Sequence, residues 1–139
     1  VTVPRRAAAD TGALLALASS RDQYHVRARK TLSRLQSANA RFVGHALVLG
    51  ELHGHLLRRL EPADARRIVV GLMQDPSFEW IDVSVDLVGR AFARWIERFP
   101  DQRFSLTDAV TFEMMRAERI THAFAFDQDF VTAGFSLLP

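Results

Sequence analysis

The chain has 139 residues, 48% hydrophobic and 24% charged, with no cysteine. That composition describes one soluble globular domain, residues 1–139, whose core needs no disulfide and whose chemistry excludes thiolate nucleophiles and zinc–thiolate sites. The formal net charge is only +2 and the pI of 9.9 reflects basic residues that, Lys30 aside, are all arginine, so charge alone does not mark a nucleic-acid binder.

Val1 to Ala9 is the first predicted strand, although Ala7-Ala8-Ala9 is poor strand material and Pro4 restricts its start. Arg5-Arg6 and the apolar residues behind them loosely imitate an export signal, but Asp10 interrupts the run. No segment approaches the ~18 apolar residues of a membrane-spanning helix. A cytoplasmic protein with no membrane partner is expected.

Asp10-Thr11-Gly12 punctuates the chain before a short helix over Ala13–Leu17, which places Asp10 at a strand-to-helix junction. Ligands bind at such strand ends in alternating α/β proteins, while a helix N-cap is the plainer role for the same acid. Asp22 is predicted to cap a helix running to Ser37, with Ala28, Leu32 and Leu35 inward. Phe42-Val43 follows as a strand, then a helix over Ala46–Leu60. Its stripe is Leu49, Leu52, Leu56 and Leu60, with Glu51 close beside it. His53 and His55 point in different directions on that helix, and the other histidines are scattered, so histidine is not where the chemistry is expected.

Pro62 opens the next helix and Asp75-Pro76 closes it. A strand over Phe78–Val83 and a helix over Val85–Phe99 come next, the helix burying Val88, Phe92, Trp95 and Phe99. Ser105 and Asp108 have the spacing of a capping box at the start of a helix to Arg119. Asp108 shares a face with Phe112 and Met115, so its carboxylate is aimed toward the buried side. A strand over His122–Phe126 ends at Asp127, and the tail from Gly134 to Leu138 can add a last short strand. Alternating strands and helices predict an α/β sandwich with a mostly parallel sheet.

If the strands are neighbours, Asp10, Glu51, Asp108 and Asp127 can meet at the sheet's carboxyl edge. Four carboxylates there repel one another unless a cation joins them, and oxygen-only ligands select a hard ion, Mg2+ or Mn2+. Such a site suits in-line hydrolysis of a phosphodiester.

Asp10-Thr11-Gly12-Ala13-Leu14, Glu51, Ser105-Leu106-Thr107-Asp108-Ala109, and Phe126-Asp127-Gln128-Asp129-Phe130 with Gly134-Phe135 resemble the successive motifs of a PIN domain. They are similar in particular to those of the VapC-like toxin ribonucleases of bacterial toxin–antitoxin pairs. The resemblance implies a PIN-like three-layer α/β/α sandwich and a Mg2+- or Mn2+-dependent endoribonuclease. It also implies an RNA substrate, a cognate antitoxin and a homodimer. By position Asp10, Glu51, Asp108 and Asp127 would be the catalytic and metal-holding acids, Thr11 and Ser105 supporting hydroxyls, and Asp101 and Asp129 outer supports. Arg5, Arg6, Arg58 and Arg59 are the candidates for RNA phosphates. The sequence departs from the pattern at Gly12, where relatives often carry serine or asparagine, and at Asp129, often histidine.

Two other readings compete. A receiver or aspartyl phosphatase with Asp10 as nucleophile lacks a well-placed lysine and a second acid where Gly12 stands. A PIN-like scaffold that binds RNA or a partner without cutting would not need the complete acid set.

Overall fold

Ala7, Ala8 and Ala9, poor strand formers by propensity, lie at the centre of the sheet. The computed structural model describes residues 3–139, in which β1 (Arg6–Ala9) pairs with β2 (Arg41–His45) on one side and β4 (His122–Phe124) on the other. β3 (Phe78–Ile81) and β5 (Ser136–Leu137) complete the order β3-β2-β1-β4-β5, and every pairing is parallel. The three alanines have no solvent exposure at all. Burial on both faces, with small side chains that let helices approach closely, overrides their weak intrinsic preference.

Successive side chains point to opposite faces, and two cores result. Ala7, Ala9, Phe42, Phe78 and Phe124 pack on one face beneath α1 (Thr11–Ala18), α2 (His25–Ser37), α3 (Ala46–Leu57) and α4 (Pro62–Gln74). Ala8, Val43 and Ala123 pack on the other, beneath α5 (Val85–Ala91), α6 (Leu106–Glu118) and α7 (Asp129–Thr132). One tryptophan borders each core, Trp80 the first and Trp95 the second. The fold is the expected three-layer sandwich, and its sheet is parallel throughout.

Several boundaries differ from expectation. The first strand begins at Arg6, and Val1 and Thr2 of the predicted one lie outside the described residues. Asp22 does not cap α2, which starts three residues later; its Oδ1 accepts from Tyr24 N at 2.8 Å and turns the chain instead. The helices and strands predicted to Leu60, Val83 and Phe126 stop at Leu57, Ile81 and Phe124. α7 is an addition to the predicted elements, because four residues are too few for a periodic pattern.

The predicted helix Val85–Phe99 is α5 followed by a π turn over Phe92–Ile96, where Glu97 N donates to Phe92 O, five residues back, at 2.9 Å. Leu87, Ala91 and Trp95 are the buried stripe, Val88 and Phe99 pack partly buried against the same core, and Phe92, where the wider turn begins, is 41% exposed, which corrects its predicted burial. Trp95 Nε1 donates to the fully buried Glu113 at 3.2 Å, and Arg116 forks onto the same carboxylate at 3.1 and 2.8 Å. Arg90 and Arg94 close the cluster at 3.6 and 3.5 Å. No described helix is long and apolar enough to cross a membrane.

Candidate active site

The strand order reverses beside β1: the chain lays β2 and β3 to one side, then returns to place β4 and β5 on the other. The crevice at the carboxyl ends of strands flanking such a reversal is the ligand site of open α/β sheets. Asp10 N donates to Phe124 O at 3.0 Å as the last tie between β1 and β4 before the chains part. Asp10 is the N-cap of α1, with Oδ2 accepting from Gly12 N at 3.3 Å. Capping therefore uses one oxygen and leaves the carboxyl facing the crevice.

The other acids arrive from separate elements. Ser105 and Asp108 form the predicted capping box, Asp108 N donating to Ser105 Oγ at 3.1 Å and Ser105 N to Asp108 Oδ2 at 3.3 Å. Asp127 follows β4, its Oδ1 accepting from Asp129 N at 2.8 Å. Glu51 projects from α3. Asp10, Thr11, Glu51, Ser105, Asp108 and Asp127 all line one cleft of about 600 Å³.

Their electrostatics show the coupling. Burial, the nearby Asp108 charge and the Asp127 charge push the Asp10 carboxyl up to about 7, against the pull of the Gly12 and Thr11 N–H groups. Burial raises Asp108 as well; its bonds to Ser105 work against this, and the Asp127 and Glu51 charges add to it. Asp129 is raised by burial and then by Asp127. Among the described residues no arginine, lysine or histidine forms an ion pair with any of the four cleft acids. Thr11 Oγ1 is the one buried side-chain polar atom among the described residues that has no hydrogen-bond partner.

A set of uncompensated carboxylates beside an orphaned hydroxyl fits a hard divalent cation and its water. Among the described residues no three acids or histidines stand close enough to enclose an ion by themselves. A hard divalent cation there would be held by one or two of the carboxylates and by its own waters.

Beneath the acids lies a link that sequence reading passed over. His45 is fully buried, and burial pushes its imidazole down to about 4, so it is neutral. Nδ1 accepts from Leu47 N at 3.2 Å, which assigns the proton to Nε2, 2.8 Å from Thr111 Oγ1. Thr111 Oγ1 in turn donates to Thr107 O at 3.0 Å. The chain of bonds ties the start of α3, which carries Glu51, to the first turn of α6, which carries Asp108. No motif advertises it, since partners 66 residues apart have no periodic signature.

The remaining predicted residues divide. Asp129 sits beside Asp127, while Asp101 is exposed in the loop before α6 and is not brought to the cleft. Arg58 and Arg59 join Arg21, Ser19 and Ser20 in a neighbouring pocket of about 660 Å³ that shares Asp22 with the acid cleft. Arg5 and Arg6 lie at the amino end of the central strand, the edge opposite the acids. Arg6 is engaged there with Glu79 at 3.3 Å and Glu118 at 3.7 Å, and the structure does not bring this pair to the acid cleft. Asp22, Tyr24, His55 and Phe126 also line the cleft. His55 was visible as the i+4 neighbour of Glu51, and Tyr24 as the only tyrosine of the chain.

Residues 7–136 match the sequence profile of the PIN domain. The chain belongs to the PIN domain family. Over 53 residues this PIN domain is 42% identical to the 23S rRNA-specific endonuclease VapC20 of Mycobacterium tuberculosis, a match covering 38% of this chain and 40% of that relative. The aligned stretch thus spans well under half of the relative's length. The crystal structure of Mycobacterium tuberculosis VapC20, described as a sarcin-ricin loop cleaving toxin, superposes with a TM-score of 0.80 at 29% identity over 92% of this chain and 95% of that one. VapBC2 from Rickettsia felis, bound to a DNA fragment from its promoter, superposes with a TM-score of 0.70 at 14% identity over 96% and 97%, a likeness of fold.

Proposed function

We propose that this PIN domain is a Mg2+- or Mn2+-dependent endoribonuclease, the toxin of a toxin–antitoxin pair, hydrolysing RNA phosphodiester bonds in the cleft of Asp10, Glu51, Asp108 and Asp127. The observation that carries the proposal is the convergence of these four acids, without a basic partner among the described residues, at the reversal point of the parallel sheet. A bound divalent ion would supply Lewis acidity toward a phosphoryl oxygen and lower the pKa of an attacking water.

The side chains prepare that chemistry. One or two of Asp10, Glu51, Asp108 and Asp127 would hold the cation directly and the others through its waters, and Ser105 fixes the orientation of Asp108 through the capping box. Thr11 Oγ1 has a free donor and acceptor with which to orient water or a phosphate oxygen. The His45–Thr111–Thr107 bonds keep the supports of Glu51 and Asp108 in register. Arg21, Arg58 and Arg59 neutralise the RNA backbone beside the cleft, giving position and salt dependence without sequence choice. A cognate antitoxin, a homodimer and a cytoplasmic setting belong to the same proposal.

The test is incubation of the purified protein with ribosomal and bulk cellular RNA in Mg2+ or Mn2+, beside EDTA and Asp108→Asn controls. Discrete cuts that both controls abolish are expected, with ribosomal RNA the first substrate to examine because VapC20 carries that specificity in its name. Undiminished cutting by Asp108→Asn and Asp10→Asn would refute the assigned site. No cutting by folded, metal-bound protein would favour a non-cutting RNA- or partner-binding scaffold.

A further inference from the structure

Two aromatic rings that pack partly buried against the α1–α4 core also form a stacked pair on the cleft wall. Tyr24, at the entry to α2, and Phe126, two residues beyond β4, lie with ring centroids 4.3 Å apart and planes 10° from parallel. Both rings are half-buried and line the same cleft as the acids. Phe126 immediately precedes Asp127, and it sits edge-to-face on Phe124, 6.5 Å away, which is itself buried. The Arg27 guanidinium lies 5.3 Å from the Phe126 ring centre and 5.8 Å from that of Tyr24.

Packing alone gives a simple account of the pair, as a plug over the mouth of the α1–α4 core. Three features exceed that account. The pair borders the place where a phosphodiester would lie, it retains exposed aromatic surface, and it carries a cation within cation–π range, with its charge free for a phosphate. Unpaired RNA bases are recognised by stacking on aromatic rings and arginine planes, with phosphate contacts alongside.

We propose that Tyr24 and Phe126, with Arg27, form a stacking subsite for an unpaired nucleobase next to the phosphate held at the acid cleft. The subsite rests on the ribonuclease function proposed above for its substrate class. It supplies what the arginine pocket does not, a preference for RNA whose bases are splayed out of a helix, as in a loop.

The probe is a short RNA hairpin with 2-aminopurine at successive loop positions, bound to the wild-type protein in Ca2+ so that binding is read without relying on cleavage. Wild type and Tyr24→Phe should quench the fluorophore at one position, and Tyr24→Leu should lose the quench and about 10-fold in affinity, the scale of one lost stacking contact. An abasic nucleotide at that position should weaken wild-type binding by a similar factor and leave the Tyr24→Leu affinity unchanged, and the wild-type arm holds even where a variant fails to fold. Quenching and affinity that survive in folded Tyr24→Leu, or wild-type binding indifferent to every abasic position, would overturn the subsite. Loop quenching by wild-type protein that cuts nothing in Mg2+ or Mn2+ would instead remove the nuclease function and leave the stacking site standing.

Discussion

Asp10 and His45 titrate in the same pH range with opposite consequences. Asp10 is raised from 3.8 to about 7, so in the cation-free protein the folded chain keeps a proton that the unfolded chain releases, and stability falls as pH rises through that window. Asp10→Asn removes the penalty. In EDTA at about pH 8 the variant should be more stable than wild type by about 3 kcal/mol, read by urea denaturation, while its cleavage is abolished. His45 is lowered from 6.5 to about 4, so the unfolded chain takes up a proton first and stability is lost as pH falls through that window. In wild type the two slopes offset each other between about pH 4 and 6.5. Asp10→Asn should therefore make stability decline more steeply toward acid than in wild type, and adding His45→Gln should remove the part of that decline that His45 contributes. The acids of this pair of effects were legible in the sequence because Asp10 and Asp108 sit at punctuation points, a strand end and a capping box. His45 was not, since its partners come from an element far along the chain.

At the scale of elements, β2 and β3 meet through a missing side chain. Gly44 pairs with Trp80, and a Cβ on Gly44 would come within 2.4 Å of the indole ring. The indole is also held by its Nε1 bond to Leu72 O at 2.9 Å, so it cannot retreat freely. Gly44→Ala should cost about 1–3 kcal/mol by overpacking, and much less in a Trp80→Leu background, a coupling that a double-mutant cycle of unfolding free energies would measure. Glu113 makes a contrasting case on the other face. Burial alone would raise its carboxyl, but the bonds from Arg116 and Trp95 and the charges of Arg116 and Arg94 hold it below 4.5, so its contribution is present above that value and is lost as pH falls. Glu113→Gln should destabilise the fold by about 1–3 kcal/mol at neutral pH and much less in acid, again by denaturant titration. Periodicity located both helices around this cluster. It misplaced Phe92 alone, because a 3.6-residue repeat carries no trace of the π turn that begins there.

For the whole molecule, the parallel sandwich was readable from alternating strand and helix patterns, whereas the strand order was not. Nothing local distinguishes β3-β2-β1-β4-β5 from another arrangement, yet that order is what brings Asp10 and Asp127 to adjacent strand ends. A cation that relieves repulsion between them should stabilise the entire domain by mass action. Mg2+ or Mn2+ should raise the wild-type Tm with increasing concentration and leave Asp10→Asn with little or no rise.

The sheet also separates the two indoles, with Trp80 bordering the core under α1–α4 and Trp95 buried in the core under α5–α7. Each layer thus has its own intrinsic fluorophore. Trp95→Phe leaves emission from one side of the sheet and Trp80→Phe leaves emission from the other, so loosening of either layer can be timed without an attached dye. Coincident denaturation curves from the two single-tryptophan proteins, each referred to its own stability, would mean that the layers melt as one cooperative unit. An earlier loss on the α5–α7 side would mark that layer as the one that opens first.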